Sequence, residues 1–137
     1  MAEFLISYKK TSINEGGLAD SSHDGGKLTW AGISSHFHPE FVGWPIILKT
    51  IEGLGLTGKT LDNPAAWKQI DAVLSQNKEL EQMKLDFYKK NFWNVLNLDN
   101  EPDQLIADTA YDTGVNKGWQ REKNWLKESK EEANEIV

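Results

Sequence analysis

Glycine and proline residues divide this chain into segments of helix length, and this division constrains its fold most. Gly16-Gly17 and Gly118 are placed to end helices, because glycine accepts the left-handed conformation that closes a helix. Pro45, Pro64 and Pro102 stand where a first helical turn would begin, a position at which proline is well tolerated. The punctuation therefore predicts a mainly α-helical protein.

Apolar residues recur at intervals of three to four between these breaks. We predict five to seven helices, and six can be bounded: residues 2–14, 45–52, 64–75, 78–92, 102–115 and 119–135. Residues 16–28 are a predicted loop, and residues 27–33 a short strand, a hairpin arm or an extended loop. The expected fold is mainly α, with at most a small β-hairpin.

Two of these helices have a predicted apolar side that the structure can test. In the first helix this side includes Phe4, Leu5, Tyr8, Ser12 and Ile13. In the helix over residues 102–115 it includes Leu105, Ile106, Thr109 and Ala110.

The length of 137 residues suits one domain, which we place over residues 1–137, with a final helix and a short C-terminal segment at about 119–137. The chain has no cysteine, so we expect no disulfide. It has no apolar run near 18 residues, so we expect no membrane span. Met1 to Phe4 lack a basic region before an apolar segment, so we expect no signal peptide and synthesis in the cytoplasm.

The charge balance argues against one class of partner. Fifteen basic and 21 acidic residues give a net charge of −6, whereas a nucleic-acid-binding protein needs a basic surface. The same charge gives no long-range attraction to an anionic surface. Six Trp, three Tyr and five Phe are enough for a sugar-stacking cleft, although most of them should serve the core.

The chemistry is expected around Glu15. It lies in the last turn of the first predicted helix, where the carbonyl end of the helix dipole and partial burial would raise its pKa, as suits a general acid. Asp24 and Thr29 follow in the next loop, and two carboxylates in one cleft are the working parts of a glycosidase. Each residue also has a plain structural interpretation: a solvated helix-end glutamate, an aspartate capping the amides of Gly25-Gly26, and a strand threonine.

These residues resemble a known pattern. The residues Glu15-Gly16-Gly17, Asp24, Gly26, Thr29, Gly32 and Ile33 resemble the signature of the glycoside hydrolase family 108 N-acetylmuramidases, bacterial and phage peptidoglycan hydrolases that include proteins named secretion activators. The Glu, Asp, Thr spacing also resembles that of tailed-phage lysozymes. The similarity continues through Ser34 to Trp44, Tyr88 to Trp93, Tyr111 to Asn116 and Gly118, and covers roughly residues 3–119.

The resemblance implies a lysozyme-like helical domain that cleaves the β-1,4 bond between N-acetylmuramic acid and N-acetylglucosamine. Glu15 would protonate the leaving oxygen, while Asp24 and Thr29 would activate water or stabilise positive charge on the opposite face. An inverting enzyme needs the two carboxyl groups about 6.5–9.5 Å apart and a retaining one about 5–5.5 Å, and the sequence is compatible with both. The resemblance places Asn116 near the cleft, where it would contact an acetamido group, with a helix-end cap as the alternative. Independently of the resemblance, the rings of Trp30 and Trp44 are candidates for sugar stacking, with a place in the core as the alternative.

The resemblance also implies partners. The substrate would be peptidoglycan, at the bacterial cell wall in the periplasm, reached with a holin, as by a prophage endolysin, or through a secretion system. Proton transfer and charge stabilisation require no cofactor and no metal. Lys27-Leu28 departs from the family pattern, and relatives tend to continue into a peptidoglycan-binding segment. Both departures favour an alternative, a non-catalytic glycan-binding or secretion-accessory protein on the same scaffold.

Two further motifs have weaker interpretations. Gly53 to Thr60 matches the phosphate-loop pattern, but no buried strand precedes it and no helix directly follows it, so we interpret it as a turn between helices. His36 and His38, with His23 and Glu40, are the residue types of a metal site. Because Pro39 makes this stretch a turn and no further ligand stands at a suitable distance, we predict no metal there.

Overall fold

A computed structural model describes residues 1–12, 17–20, 28–56 and 63–118. Helices dominate this part of the chain, with one small antiparallel sheet, which confirms the mainly α prediction. The final helix predicted near 119–137 lies outside the described residues. So does the end of the Gly53 to Thr60 motif.

The chain falls into two compact units. The terminal unit comprises Met1–Asn14 and Lys89–Val137, and the central unit comprises Glu15–Tyr88. The expectation of a single domain over residues 1–137 stays a prediction.

The elements of the described residues follow one another in this chain order. They are α1 Phe4–Ser12, β1 Leu18–Asp20, β2 Leu28–Trp30, β3 Ile33–Ser34, α2 Trp44–Gly53, α3 Pro64–Leu74, α4 Lys78–Tyr88, a π-helical turn Lys89–Trp93, 3-10 turns Asn94–Leu96 and Leu98–Asn100, and α5 over residues 104–118. No helix in the described ranges is both long and apolar enough to span a bilayer.

The sheet of the central unit is antiparallel, with β2 in the middle. A two-residue turn joins β2 to β3, and Ala31 and Gly32 both have positive φ there, at 50° and 80°. Positive φ at both central residues is the geometry that suits the twist of a tight hairpin. Of the three alternatives predicted for residues 27–33, residues 28–33 therefore form the hairpin.

The first strand was not predicted. Residues 16–28 were expected to be a loop, and that is wrong for residues 18–20, which form β1. Three residues are too few to show an alternating pattern, and only Leu18 among them is large and apolar. The strand forms because it pairs with β2, with Leu18 opposite Trp30. This pairing is a tertiary contact, which a local sequence pattern does not reveal.

Helix α3 begins as its sequence predicts. Asn63 is extended, and its Oδ1 accepts a hydrogen bond from the Ala65 amide at 3.0 Å, with Pro64 in the first turn. This side chain satisfies one of the amides that a helix start leaves without a partner. The buried side of the helix consists of Ala66, Ile70 and Leu74.

The terminal unit has an aromatic core between α1, the π-helical turn and α5. Phe4 lies at the centre, with ring centroids 5.6 Å from Tyr8, 5.6 Å from Trp93 and 5.7 Å from Tyr111. The contacts with Trp93 and Tyr111 are edge-to-face, a geometry that favours aromatic pairs beyond simple burial.

The predicted inner side of the helix at residues 102–115 is wrong. Leu105 and Ile106 are 70% and 54% exposed, whereas Ala107, Tyr111 and Val115 are buried. These three residues recur every four positions, so a second set of apolar residues fits the helical period equally well. Pro102 is predicted to open this helix, but α5 starts at residue 104, and Asp103 caps it because its Oδ1 accepts from the amides of Leu105 and Ile106.

The predicted side of the first helix is also partly wrong. Leu5 is 51% exposed, while Ser7 and Thr11 are buried beside Phe4 and Tyr8. Their hydroxyls donate hydrogen bonds to carboxylates of α5, which compensates for the burial of polar groups.

Candidate functional site

The predicted site residues are distributed between the two units. Glu15 and Asp24 lie outside the described residues, so their separation stays open. Thr29 and Trp30 are neighbours on β2 of the central unit, and Asn116 lies on α5 of the terminal unit.

The sheet of the central unit has two different faces, because successive side chains of a strand point to opposite sides. One face carries the cross-strand neighbours Leu18, Trp30 and Ile33, all buried. The opposite face carries small residues in the same register, and all of them are half-buried: Ala19, Thr29 and Ser34. The hydroxyl of Thr29 is therefore outside the apolar layer of the sheet.

Trp30 is a core residue by its surroundings. It is 6% exposed, and its ring stacks with that of Phe41 at a centroid distance of 6.2 Å and an angle of 16°. The Nζ atom of Lys84 lies 5.5 Å from the Trp30 ring centroid, within the range of a cation–π contact. Of the two roles left open for Trp30, this burial favours the structural one.

Asp71 is a residue of this region that the sequence did not reveal. It lies on α3, and its two carboxylate oxygens are 2.9 Å and 3.0 Å from the amide nitrogen of Leu18, which donates to both. Leu18 begins β1, three residues after Glu15. A single aspartate in an amphipathic helix carries no sequence signal for such a contact.

Burial raises the pKa of the Asp71 carboxyl, since removal from water disfavours the charged form. The hydrogen bond from the Leu18 amide opposes this effect but does not cancel it. The contact therefore holds a carboxyl group that is more basic than an ordinary surface aspartate.

Asn116 belongs to a polar network of the terminal unit. Its Nδ2 donates to Asp112 Oδ2 at 3.1 Å, and Asp112 Oδ1 accepts from the buried Thr11 hydroxyl at 3.0 Å. Asp112 thus connects the last turn of α1 to α5. The Asn116 side chain is exposed, and whether it contacts a substrate stays a prediction.

A second carboxylate of α5 reinforces this connection. Asp108 accepts from Ser7 Oγ at 2.5 Å and Gln104 Nε2 at 2.8 Å, and pairs with Lys10 Nζ at 2.5 Å. Burial alone would raise the pKa of Asp108, but these hydrogen bonds and the Lys10 charge together lower it.

The two weaker motifs gain nothing from the structure. Gly53 is the last residue of α2, so a helix precedes the motif where a phosphate loop requires a strand. His38 Nδ1 lies 3.4 Å from Glu40 Oε1, and the His36 ring packs edge-on against Phe37. Within the described ranges, His, Asp and Glu side chains form no group of three that could hold a metal ion.

A comparison with known protein families identifies the class of this protein. The model of the family described as Glycosyl hydrolase 108 matches residues 8–118. The chain therefore belongs to glycosyl hydrolase family 108, which implies glycoside hydrolase activity and a glycan substrate. No curated protein and no solved structure matches the chain significantly.

Proposed function

We propose that this protein is a peptidoglycan hydrolase that cleaves the β-1,4 bond between N-acetylmuramic acid and N-acetylglucosamine. The observation that carries the proposal is the family match over residues 8–118, because that range includes Glu15, Asp24 and Thr29 at the spacing expected of a muramidase.

In the proposed reaction, Glu15 donates its proton to the glycosidic oxygen as the bond from that oxygen to the anomeric carbon breaks. Asp24 and Thr29 act on the opposite face of the sugar. They activate the attacking water or stabilise the positive charge of the oxocarbenium-like transition state. A proton donor and a charge-stabilising group are sufficient for this chemistry.

The two-faced sheet supports the role of Thr29. Its hydroxyl shares a half-buried face with Ala19 and Ser34, while the apolar face is filled by Leu18, Trp30 and Ile33. This position leaves the Thr29 hydroxyl outside the apolar layer, where it is free of the packing that buries Trp30. For substrate binding we propose Asn116, whose amide is exposed, and Trp30, although its burial makes it the weaker candidate.

We also propose that the protein acts at the bacterial cell wall, in the periplasm, after synthesis in the cytoplasm. Export through a holin or a secretion system is part of this proposal. The net charge of −6 would repel an anionic wall, so binding should depend on short-range contacts in the site. We therefore expect added salt to leave wall binding unchanged or to strengthen it.

The experiment is digestion of purified peptidoglycan, followed by borohydride reduction of the new ends and identification of the reduced sugar. A muramidase produces ends that are reduced to N-acetylmuramitol. Ends reduced to N-acetylglucosaminitol would contradict the proposed bond specificity. Proton NMR of the first anomer formed would distinguish the inverting from the retaining route.

The alternative from another class is a non-catalytic glycan-binding or secretion-accessory protein. The observation that favours it is the Lys27-Leu28 departure beside Asp24 and Thr29. Such a protein would pellet with peptidoglycan and release no reducing ends, so the same digestion separates the two functions.

A further inference from the structure

The contact between α3 and the start of β1 is unusually specific. Both carboxylate oxygens of Asp71 accept a hydrogen bond from the Leu18 amide, at N···O distances of 2.9 Å and 3.0 Å. Leu18 itself is 4% exposed. A hydrogen bond to a charged acceptor is stronger than one between neutral groups. The start of β1 is thus tied to a helix that lies 53 residues further along the chain.

Gly17 is part of the same arrangement. A β-carbon at this position would lie 2.2 Å from Asp71 Oδ2 and 2.8 Å from Asp71 Cγ, far inside the contact distance. The three atoms nearest to such a β-carbon all belong to Asp71. A β-carbon at residue 17 would therefore displace the Asp71 carboxylate from its present position against the Leu18 amide.

The position of this contact in the chain gives it a functional meaning. Only Gly16 and Gly17 separate Leu18 from Glu15, the proposed acid. Catalysis depends on placing reacting groups closely, and a displacement of about 1 Å can cost about 100-fold in rate.

We propose that Asp71 is a positioning residue for the reaction: it fixes the backbone at Leu18, so that the Glu15-Gly16-Gly17 segment starts from a defined point. This inference rests on the proposed function, because it takes Glu15 to be the acid. Asp71 itself is not a catalytic residue in this proposal, and it acts through the chain segment that it holds.

The test compares kcat and KM of Asp71→Ala and Asp71→Asn with those of the wild type on soluble peptidoglycan fragments. The matched control is Asp86→Asn, an exposed aspartate of α4 in the same unit. We expect kcat to fall about 10- to 100-fold in Asp71→Ala, with KM within about twofold, because positioning affects the transition state more than binding. Asp71→Asn keeps one acceptor oxygen, so it should lose less.

A second readout reports the contact without reference to activity. Hydrogen exchange of the Leu18 amide should accelerate in both Asp71 variants and stay unchanged in the Asp86 control. Gly17→Ala should reduce kcat in the wild-type background and add little in the Asp71→Ala background, because the contact is already lost there.

The outcomes separate this inference from the proposed function. A wild type that cleaves peptidoglycan, together with an Asp71→Ala variant of unchanged kcat and faster Leu18 exchange, would overturn the positioning role alone. A rise in KM with constant kcat would overturn it too. A wild type that releases no reducing ends would overturn the proposed function and the positioning role together.

Discussion

Replacing Gly17 by alanine should destabilise the protein, although an added methyl group at an exposed position is normally harmless. Gly17 is exposed, but its added β-carbon would lie 2.2 Å from Asp71 Oδ2. The Asp71 side chain must then move away, and the buried Leu18 amide loses both carboxylate contacts.

The magnitude follows from two opposing effects. A buried amide without a partner costs about 1–3 kcal/mol. Alanine in place of glycine restores about 0.4–1 kcal/mol by restricting the unfolded chain. We therefore expect Gly17→Ala to lower the free energy of unfolding by about 1–2 kcal/mol, or the Tm by about 4 °C per kcal/mol.

The assay is a double-mutant cycle by urea denaturation, with Gly17→Ala, Asp71→Ala and the double variant. Once Asp71 is truncated, the added methyl group meets no carboxylate, so Gly17→Ala should be neutral or slightly stabilising in that background. A coupling energy near zero, with the same loss in both backgrounds, would refute the proposed clash.

Three further perturbations have definite expected outcomes. Burial raises the pKa of Asp71, so the contribution of this carboxyl to stability is full below pH 3.8 and is lost as the pH rises through its folded-state pKa. The pKa of Asp108 is lowered, so the contribution of that carboxyl is full above pH 3.8 and is lost as the pH falls through its folded-state pKa. Urea denaturation from about pH 2.5 to about pH 7 should show opposite pH slopes of the stability difference from the wild type for Asp71→Asn and Asp108→Asn. Tyr88→Phe should cost about 1–2 kcal/mol, because the buried Tyr88 hydroxyl donates to the Ala31 carbonyl, and thermal denaturation measures this loss. Thr29→Val should lower kcat about tenfold or more and Thr29→Ser much less, measured as release of reducing ends.

Each of these predictions has a result that would contradict it. Parallel slopes for the two aspartate variants would mean that one of the two pKa directions is wrong. An unchanged Tm for Tyr88→Phe would show that the hydroxyl contributes nothing net to stability. Full activity of a folded Thr29→Val variant would leave Thr29 a strand residue and nothing more.

Local signals in the sequence predicted some elements well. Asn63-Pro64 marks the start of α3, because the capping side chain of Asn63 and the Ala65 amide that it accepts from are only two residues apart. The Ala31-Gly32 turn lies inside residues 27–33, for which a hairpin arm was one of three predicted alternatives, because a two-residue turn is also a local feature.

Features that depend on distant residues were not predictable in the same way. Ser7 and Thr11 can be buried because their hydroxyls donate hydrogen bonds to Asp108 and Asp112 respectively, each of which lies 101 residues further along the chain. Helix α5 has two apolar sides, and the side with Ala107, Tyr111 and Val115 is buried while Leu105 is exposed. Both sides fit the helical period, so periodicity alone does not predict which one faces the core.

The candidate site shows the same division. The segment from Glu15 to Thr29 carries a compact family pattern, and the family match over residues 8–118 confirms that resemblance. Asp71 carries no such pattern, because its contact with Leu18 arises only when α3 packs beside β1.

The most direct test of the account is the release of reducing ends from purified peptidoglycan by the wild type and by Glu15→Gln. The glutamine variant keeps the size of the side chain and removes the proton that the mechanism requires. The matched control is Glu79→Gln, an exposed glutamate of α4, and circular dichroism should show all three proteins equally folded. We predict that Glu15→Gln loses activity by a factor of about 100 or more while the control keeps it. Equal activity of Glu15→Gln and the wild type would contradict the central claim, because the proton would then come from another residue.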